Sequence, residues 1–320
     1  MCRKNRRSAI DGALYMNILV TGGAGFIASH IVDALIEAGH RVYVIDNLST
    51  GSREQLNEQA SYYEVDILDE RIAEIFDETK PEIVIHHAAQ IDVQTSIQKP
   101  MFDAKINILG TIALLEQCRN HSVRKMIYAS SAAVYGTPEY LGVDERHPLR
   151  PLSFYGISKH TPEHYIEAFS HLYGLDYTIL RYANVYGIRQ DPKGEGGVVS
   201  IFVDKLLRSE QPIIFGDGEQ TRDFIYVKDI VSANMAALEK GSRGLFNVSC
   251  NEQTSVKELL QLMSELCGTT FAPEYRAPRA GDIVHSRLDN TAAAQLLNWE
   301  PRYSLRDGLK ETCDYYRKLY

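Results

Sequence analysis

The sequence predicts an α/β protein with a doubly wound parallel sheet and a smaller C-terminal α/β domain. Short, branched apolar runs alternate with segments that repeat apolar residues at helical spacing, a pattern typical of parallel sheets. The six expected strands begin at Asn17, Arg41, Tyr62, Glu82, Lys125 and Tyr177. After the sixth strand the alternation ends, and short elements mix with turns rich in Gly and Pro. We therefore expect a sheet domain over residues 16–185, with a return segment at about 221–250, and a second domain mainly over 186–320.

Length and composition are those of an ordinary folded protein. The chain has 320 residues, of which 44% are hydrophobic and 24% charged, and a chain of this length buries about three quarters of its unfolded surface. The formal net charge of -8 argues against a general affinity for nucleic acid. No apolar run approaches the ~20 residues that a membrane span needs. Because the net charge is negative, an anionic ligand must be held by a local cluster of cations.

The cysteines and the first residues indicate where the protein works. Five widely spaced cysteines, an odd number, predict reduced thiols in a cytoplasmic protein, with neither a disulfide framework nor a metal site. Residues 1–15 are basic at their start but lack the apolar core of a secretory signal. We expect them to be a disordered leader or tag before a natural start at Met16.

The first strand, turn and helix form the pattern around which the chain is organised. A short apolar strand, the glycine turn Thr21–Gly25 and a helix that ends near Gly39 follow one another. The next strand ends at Asp46, 21 residues after Gly25. Such a turn lets backbone approach a pyrophosphate, and such a carboxylate accepts hydrogen bonds from an adenosine ribose. The unit predicts a dinucleotide site, and the absence of an Arg beside Asp46 favours NAD over NADP.

Side chains that can carry chemistry follow the fifth strand. Ser131 comes at the carboxyl end of that strand, and Tyr155 and Lys159 share one face of the next helix because they are four residues apart. A tyrosine is a poor base at its reference pKa of about 10, but a nearby ammonium and a positive nicotinamide ring stabilise its phenolate. We expect these three residues to be catalytic, with the serine hydroxyl sharing the substrate proton.

From Met16 onward the chain resembles the extended short-chain dehydrogenase/reductase superfamily, and within it the nucleotide-sugar 4-epimerases of the UDP-glucose (galactose) type. The resemblance implies an NAD-binding Rossmann-type domain followed by a domain that binds a nucleotide sugar. The matching segments are Thr21–Ile27, Asp46–Gly51, His87–Gln90, Ser131–Gly136, Tyr155 with Lys159, Asn184–Gly187, Thr221–Phe224 and Arg279–Asp282.

The resemblance also implies the residues of two binding sites. Those implied for NAD are Gly22, Gly25, Phe26, Ile27, Asp46, Asn47, Leu48, Thr50, Gly51, Asp66, Ile67, Ala88, Ala89, Gln90, Asn107, Tyr155, Lys159 and Tyr182. Those implied for a UDP-sugar are Ser131, Tyr155, Asn184, Phe215, Arg222, Arg279, Asp282 and Ser286. The two arginines among them are the bidentate cations that a diphosphate needs.

The implied reaction inverts sugar C4 reversibly in two halves. Tyr155 takes the 4-hydroxyl proton while the C4 hydride passes to tightly bound NAD, and the 4-keto sugar then turns over and receives the hydride on its other face. Related 4,6-dehydratases carry an Asp-Glu pair after the strand-five hydroxyl, and decarboxylating relatives carry a Glu in that turn. Here Ala132 and Ala133 stand at these positions. An epimerase is therefore favoured, with UDP-glucuronate 4-epimerase and a non-catalytic NAD(H)-binding protein as alternatives.

The preferred sugar and the assembly stay open at this level. Ser286 stands at a position that resembles a gate on sugar size, so its small side chain leaves room for an N-acetyl group unless it faces solvent. Gln94 stands where many relatives carry Arg. The resemblance implies a homodimer through a four-helix bundle built from the helices at Phe102–Cys118 and Tyr155–Tyr173, although their apolar stripes could equally serve the sheet alone.

Overall fold

The computed structural model describes residues 15–192, 197–269, 271–278 and 283–320. The leader expected over residues 1–15 therefore lies outside the described residues except for Tyr15. Across these four ranges, no helix combines the length and the apolar character needed to cross a membrane.

The strands and helices alternate along the first half of the chain. The strands are β1 Asn17–Thr21, β2 Arg41–Asp46, β3 Ser61–Glu64, β4 Ile83–His86, β5 Lys125–Ser131, β6 Asp176–Tyr182, β7 Asn184–Tyr186, β8 Ile213–Phe215, β9 Thr221–Arg222, β10 Phe224–Tyr226, β11 Gly244–Val248, β12 Thr254–Ser255 and β13 Glu274–Arg276. The helices are α1 Phe26–Glu37, α2 Ile72–Thr79, α3 Val93–Gln98, α4 Pro100–Ala104, α5 Gly110–Asn120, α6 Phe154–Tyr173, α7 Val198–Leu207, α8 Val227–Ala237, α9 Val256–Cys267 and α10 Leu305–Arg317.

Seven strands form one parallel sheet in the order β11-β6-β5-β4-β1-β2-β3. The predicted doubly wound parallel sheet is confirmed, and all six expected strands belong to it. The strand order reverses between β1 and β4, and sheets of this type bind ligands beyond the carboxyl ends of the strands at such a point. Both cavities described below open at this edge.

Both faces of the sheet are buried, as the alternation of side chains along β1 shows. Ile18 and Val20 pack on the face covered by α1 and α8, whereas Leu19 packs on the opposite face, which α2, α5 and α6 cover. A separate apolar cluster joins α7, α9 and α10 around residues such as Phe202 and Leu309. The domain boundary near residue 185 stays a prediction.

Two predicted helices differ from the observed ones for identifiable reasons. The helix expected over residues 69–77 begins at Ile72, because the Asp66 and Asp69 carboxylates accept from backbone N–H groups two residues on and hold turns there. The run expected over residues 102–118 is helical from Pro100 to Asn120, but a π turn at Lys105–Leu109 interrupts it. Such turns widen a helix locally and often occur at functional sites.

Candidate functional site

The first cavity lies beside the glycine turn at the carboxyl end of β1. Gly22 has a φ of +73°, and a Cβ there would lie 2.7 Å from the Ala88 nitrogen, so only glycine lets the turn approach the segment after β4. Gly25 precedes α1 and offers no side-chain cap to it. The N–H groups of the first helical turn are therefore available to an anion. These features fit the pyrophosphate of a dinucleotide.

Asp46 lies at the end of β2 and borders the same cavity. Its carboxylate accepts hydrogen bonds from the backbone nitrogens of Ala24 at 2.9 Å and Leu48 at 2.8 Å. Burial raises the pKa of Asp46, and the two backbone hydrogen bonds oppose this rise. Asn47 donates to the Asp66 carboxylate at 2.8 Å. The residues predicted for the adenosine end are thus held together by their own contacts.

Most residues predicted to bind the cofactor line this cavity of about 430 Å³. They are Gly22, Gly25, Phe26, Ile27, Asp46, Asn47, Thr50, Gly51, Asp66, Ile67, Ala88, Ala89 and Gln90. The others are elsewhere: Tyr155 and Tyr182 border the second cavity, and Leu48, Asn107 and Lys159 are not among the described lining residues of either one. Direct contact of these five with the cofactor stays a prediction.

Asn107 does not line the first cavity but holds a segment that does. It lies in the π turn and is 2% exposed. Its side chain accepts from the Gln90 nitrogen at 2.8 Å and donates to the Gln90 carbonyl at 2.9 Å and to the Ser158 hydroxyl at 2.9 Å. Asn107 therefore ties the segment after β4, which lines the cavity, to helix α6.

The second cavity, of about 670 Å³, brings together every described residue predicted to bind the substrate. These are Ser131, Tyr155, Asn184, Phe215, Arg222 and Ser286. Gln94 and Tyr182 also border it. Arg279 and Asp282, which were predicted to grip the same ligand, lie outside the described residues.

The three predicted catalytic residues come from β5 and α6. The Ser131 hydroxyl accepts from the Ala133 nitrogen at 3.2 Å, which fixes the turn after β5. Gly156 lets α6 approach this turn, since a Cβ at that position would lie 2.6 Å from the Ala133 oxygen. This close approach explains why Ser131 and the half-buried Tyr155 border one cavity.

Lys159 lies one helical turn after Tyr155 and is buried. Its Nζ stands 4.7 Å from the centroid of the Tyr128 ring. Burial lowers the pKa of Lys159 to about 8, and the carboxylates of Glu163 and Asp103 oppose this fall. An ammonium in such a poorly solvated place interacts strongly with charge that develops on the neighbouring tyrosine. The arrangement suits a tyrosine that accepts a proton.

His87 is a site residue that the sequence did not reveal. It borders the first cavity, and its Nε2 lies 3.0 Å from the Tyr182 hydroxyl. That hydroxyl accepts a hydrogen bond from Asn234 Nδ2 at 2.8 Å. The contact spans β5, and it joins a residue that borders the first cavity to one that borders the second. The sequence did contain a sign of this role: a histidine directly after the buried strand β4, within the matching segment His87–Gln90.

Comparison with known proteins adds independent findings. Residues 18–249 match the family described as the NAD dependent epimerase/dehydratase family. The chain is 48% identical over 299 residues to a putative UDP-glucose 4-epimerase of Methanocaldococcus jannaschii, covering 93% of this chain and 97% of the relative.

Two solved structures are also similar to this chain. One is a UDP-glucose 4-epimerase of Thermotoga maritima with UDP-glucose, with a TM-score of 0.94 and 49% identity over 95% of this chain and 99% of the other. The second is a UDP-N-acetylglucosamine 4-epimerase of Methanobrevibacter ruminantium in complex with UDP-N-acetylmuramic acid, with a TM-score of 0.91 and 36% identity over 96% and 99% of the two chains.

The family match spans well over half of the chain, and the cavities are lined by the glycine turn, by Asp46 and by Tyr155, as the motifs predicted. The chain therefore belongs to the NAD dependent epimerase/dehydratase family, within the extended short-chain dehydrogenase/reductase superfamily, and is an NAD-dependent epimerase.

Proposed function

We propose that this protein is a UDP-sugar 4-epimerase that interconverts UDP-glucose and UDP-galactose and also accepts the corresponding N-acetylated sugars. The second cavity is the observation that carries the proposal, because Ser131, Tyr155 and Arg222 border it together. Ala132 and Ala133 border it too. A 4,6-dehydratase needs an extra acid and base beside the hydroxyl residue, and two alanines supply neither.

Each residue has a role that follows from its chemistry. Bound NAD supplies a centre that takes a hydride from sugar C4 and returns it. Tyr155 accepts the proton of the 4-hydroxyl and gives it back, and the Lys159 ammonium stabilises its phenolate. Ser131 donates a hydrogen bond to the 4-oxygen. Arg222, whose Nη1 donates to the Thr221 carbonyl at 2.9 Å, binds the diphosphate.

The size of the sugar is governed at Ser286. Its nitrogen donates to the Thr221 carbonyl at 3.2 Å, which holds this residue against β9 at the wall of the second cavity. The small side chain supports room for an N-acetyl group, and the similar Methanobrevibacter protein is a UDP-N-acetylglucosamine 4-epimerase. UDP-glucuronate is disfavoured, because its sugar carboxylate would need a cation of its own. Arg222 is the one cation among the described lining residues, and in this proposal it binds the diphosphate.

Proton NMR of the purified protein tests the proposal directly. UDP-galactose, UDP-N-acetylgalactosamine and UDP-glucuronate are supplied separately, without added reductant. We expect C4 epimers from the first two substrates without accumulation of NADH. If neither forms an epimer, the proposed substrate class is wrong, and an epimer from UDP-glucuronate would identify the alternative.

Two variants assign the roles. Tyr155→Phe removes the hydroxyl that moves the proton and should abolish turnover of both sugars. Ser286→Tyr adds a large ring to the cavity wall, so it should abolish turnover of UDP-N-acetylgalactosamine while UDP-galactose still reacts. Equal losses for the two substrates in the second variant would show that Ser286 does not select sugar size.

We also propose that the protein pairs with a second copy of itself. The helices α4 and α6 are in contact and, with the π turn between α4 and α5, expose several large apolar side chains. These are Met101, Phe102, Leu109, Ile157, Tyr165 and Leu172, and Met101 is 83% exposed. Apolar side chains exposed along adjacent helices are typical of an interface, and two copies would form a four-helix bundle.

Light scattering after gel filtration tests the pairing. Leu109→Glu should convert a dimer into a monomer, because it places a charge in the proposed interface. Leu296→Glu is the matched control, since Leu296 is also well exposed but lies in the turn before Trp299, away from these helices. A monomeric wild-type protein would contradict the proposal.

A further inference from the structure

Tyr128 lies in the middle of β5 and packs on the face of the sheet that helix α6 covers. Its ring lies beside the ring of His86 on the neighbouring strand β4, with the two centroids 5.7 Å apart. Hydrogen bonds hold both ring nitrogens of His86, Nδ1 to the Thr21 hydroxyl at 2.7 Å and Nε2 to the Thr111 hydroxyl at 3.0 Å. The Tyr128 ring is therefore supported by a side chain that is itself fixed.

Two parts of Tyr128 contact Lys159. The tyrosine hydroxyl donates to the Lys159 backbone carbonyl at 3.2 Å, and the lysine Nζ lies 4.7 Å from the centroid of the ring. An aromatic face attracts a cation within about 6 Å, and the attraction is stronger where water is excluded. Tyr128 is 1% and Lys159 5% exposed, so little water reaches this contact. One side chain thus holds both the main chain and the charged end of Lys159.

Pro162 weakens helix α6 at the turn that Tyr128 supports. It lies inside the helix and has no N–H, so it cannot donate to the carbonyl of Ser158 four residues earlier. The helix therefore lacks one internal hydrogen bond in the turn that carries Lys159. The next carbonyl along the chain, that of Lys159, receives the bond from Tyr128. The sheet thus supplies a hydrogen bond at the turn where the helix has lost one.

The carboxylates that act on Lys159 have other partners. Glu163 on α6 and Asp103 on α4 oppose the effect of burial on the pKa of this lysine. Glu163 accepts from Arg181 Nε at 3.0 Å and Nη2 at 2.6 Å, and Asp103 accepts from Gln90 Nε2 at 2.7 Å. The two carboxylates therefore contribute charge, whereas Tyr128 contributes contacts that fix where the ammonium lies.

We propose that Tyr128 is a positioning residue for the proton transfer: its hydroxyl holds the main chain of Lys159, and its ring holds the ammonium one helical turn from Tyr155. The ring also favours the charged form of the lysine, which is the form that stabilises the Tyr155 phenolate. The inference rests on the proposed function, because Lys159 contributes to the reaction only if Tyr155 moves a proton.

Tyr128→Phe tests the hydroxyl, because it removes the bond to the Lys159 carbonyl and keeps the ring. We expect kcat for UDP-galactose to fall about 2- to 12-fold, the effect of one hydrogen bond, while KM stays within about twofold of wild type. Tyr177→Phe is the matched control. Tyr177 is buried in the same apolar cluster on β6 and pairs with Met126, two residues before Tyr128. Its kcat should stay within about twofold of wild type.

Trifluorophenylalanine at position 128, compared with Tyr128→Phe, tests the ring. The fluorines withdraw electron density from the ring face at nearly constant volume, so they remove most of its attraction for a cation. Carbon NMR of protein labelled at the lysine Cε follows the titration of Lys159, and Lys159→Met identifies its signal. We expect the midpoint, and with it the basic limb of the kcat profile, to lie about 0.4–1.5 pH units lower in the fluorinated protein.

The histidines that also face Lys159 do not disturb this titration. Burial lowers the pKa of His87 to about 3 and that of His86 well below its usual value, so both rings stay neutral above about pH 5. Tyr155 titrates with Lys159, and the lysine signal separates the two groups.

Equal midpoints in the phenylalanine and trifluorophenylalanine proteins would overturn the role of the ring. Unchanged kcat in Tyr128→Phe, or a loss of its fold in thermal unfolding, would overturn the role of the hydroxyl, since the second result would assign it to stability. If the wild type epimerises no UDP-sugar, the proposed function fails. The NMR titration, which needs no substrate, still decides whether the ring holds the Lys159 ammonium.

Discussion

Arg181→Met tests the buried ion pair that supports the catalytic helix. Arg181 on β6 donates from Nε to Glu163 Oε1 at 3.0 Å and from Nη2 to Oε2 at 2.6 Å, and both side chains are 3% exposed. Glu163 lies one turn after Lys159 on α6. It also accepts at 2.6 Å from Ser130, the residue before Ser131. The pair therefore ties α6 to the two strands beneath the second cavity.

The size of the effect follows from the burial of both charges. Methionine replaces much of the volume of Arg181 but leaves the Glu163 carboxylate buried with the Ser130 hydroxyl as its partner. Removing one member of a buried ion pair costs about 3–5 kcal/mol. At about 2.1 cal/mol/K per residue, a chain of 320 residues unfolds with an entropy of about 0.7 kcal/mol/K. The expected fall in Tm is therefore about 4–8 °C.

Calorimetry of matched variants measures this effect. Arg181→Met/Glu163→Gln should recover most of the loss, because the neutral amide leaves no unpaired charge in the interior. Lys310→Met breaks an exposed ion pair with Asp314 and should change Tm by less than about 1 °C. A fall of less than about 2 °C in the single variant, or no recovery in the double variant, would refute the reasoning.

Three further predictions concern other buried groups. Lys159→Met should abolish turnover yet raise Tm at pH 7, because burial lowers the pKa of this lysine to about 8 and disfavours its charged form. The difference in Tm between the variant and the wild type should shrink as pH rises from about 8 toward 10.5, because the wild-type lysine is then already neutral in the folded protein. Calorimetry measures both results. Asp223→Asn should cost about 1–3 kcal/mol in urea denaturation, because each carboxylate oxygen accepts from a backbone N–H and an amide would turn a donor toward one of them. Burial raises the pKa of Asp223 to about 7, so its contribution lowers the free energy of unfolding of the wild type as pH rises from about 4 to 7. This pH dependence should be absent in the variant. The Sγ atoms of Cys267 and Cys313 lie 3.2 Å apart, so diamide should join them and remove two titratable thiols, whereas Cys267→Ser should lose none at this pair.

The parts of the fold that depend on neighbours along the chain could be predicted from the sequence. The strand, glycine turn and helix around Thr21–Gly25 depend on the local spacing of apolar residues and on the conformational freedom of glycine. Both features can be read directly from the sequence. The two cavities follow from one rule about parallel strands. Because the carboxyl ends of such strands meet at one edge, polar residues after separate strands, such as Asp46 and Ser131, gather there.

Contacts between distant elements could not be predicted in the same way. His87 and Tyr182 are 95 positions apart, and their contact depends on the register of three strands and on the small side chain of Ala129 between them. The approach of Cys267 to Cys313 depends on how α9 packs against α10. The π turn at Lys105–Leu109 also has no sequence signal, because one widened turn leaves the apolar period almost unchanged.

The buried charges on helix α6 give a last argument about function. Arg181 donates to both carboxylate oxygens of Glu163, and Glu163 also accepts from Ser130. Lys159 is buried as well, but burial lowers its pKa to about 8, and the carboxylates of Glu163 and Asp103 only oppose this fall. The fold therefore bears a free-energy cost to keep a cation one helical turn from Tyr155. Such a cost is expected of a group whose charge acts on the neighbouring tyrosine and not on stability.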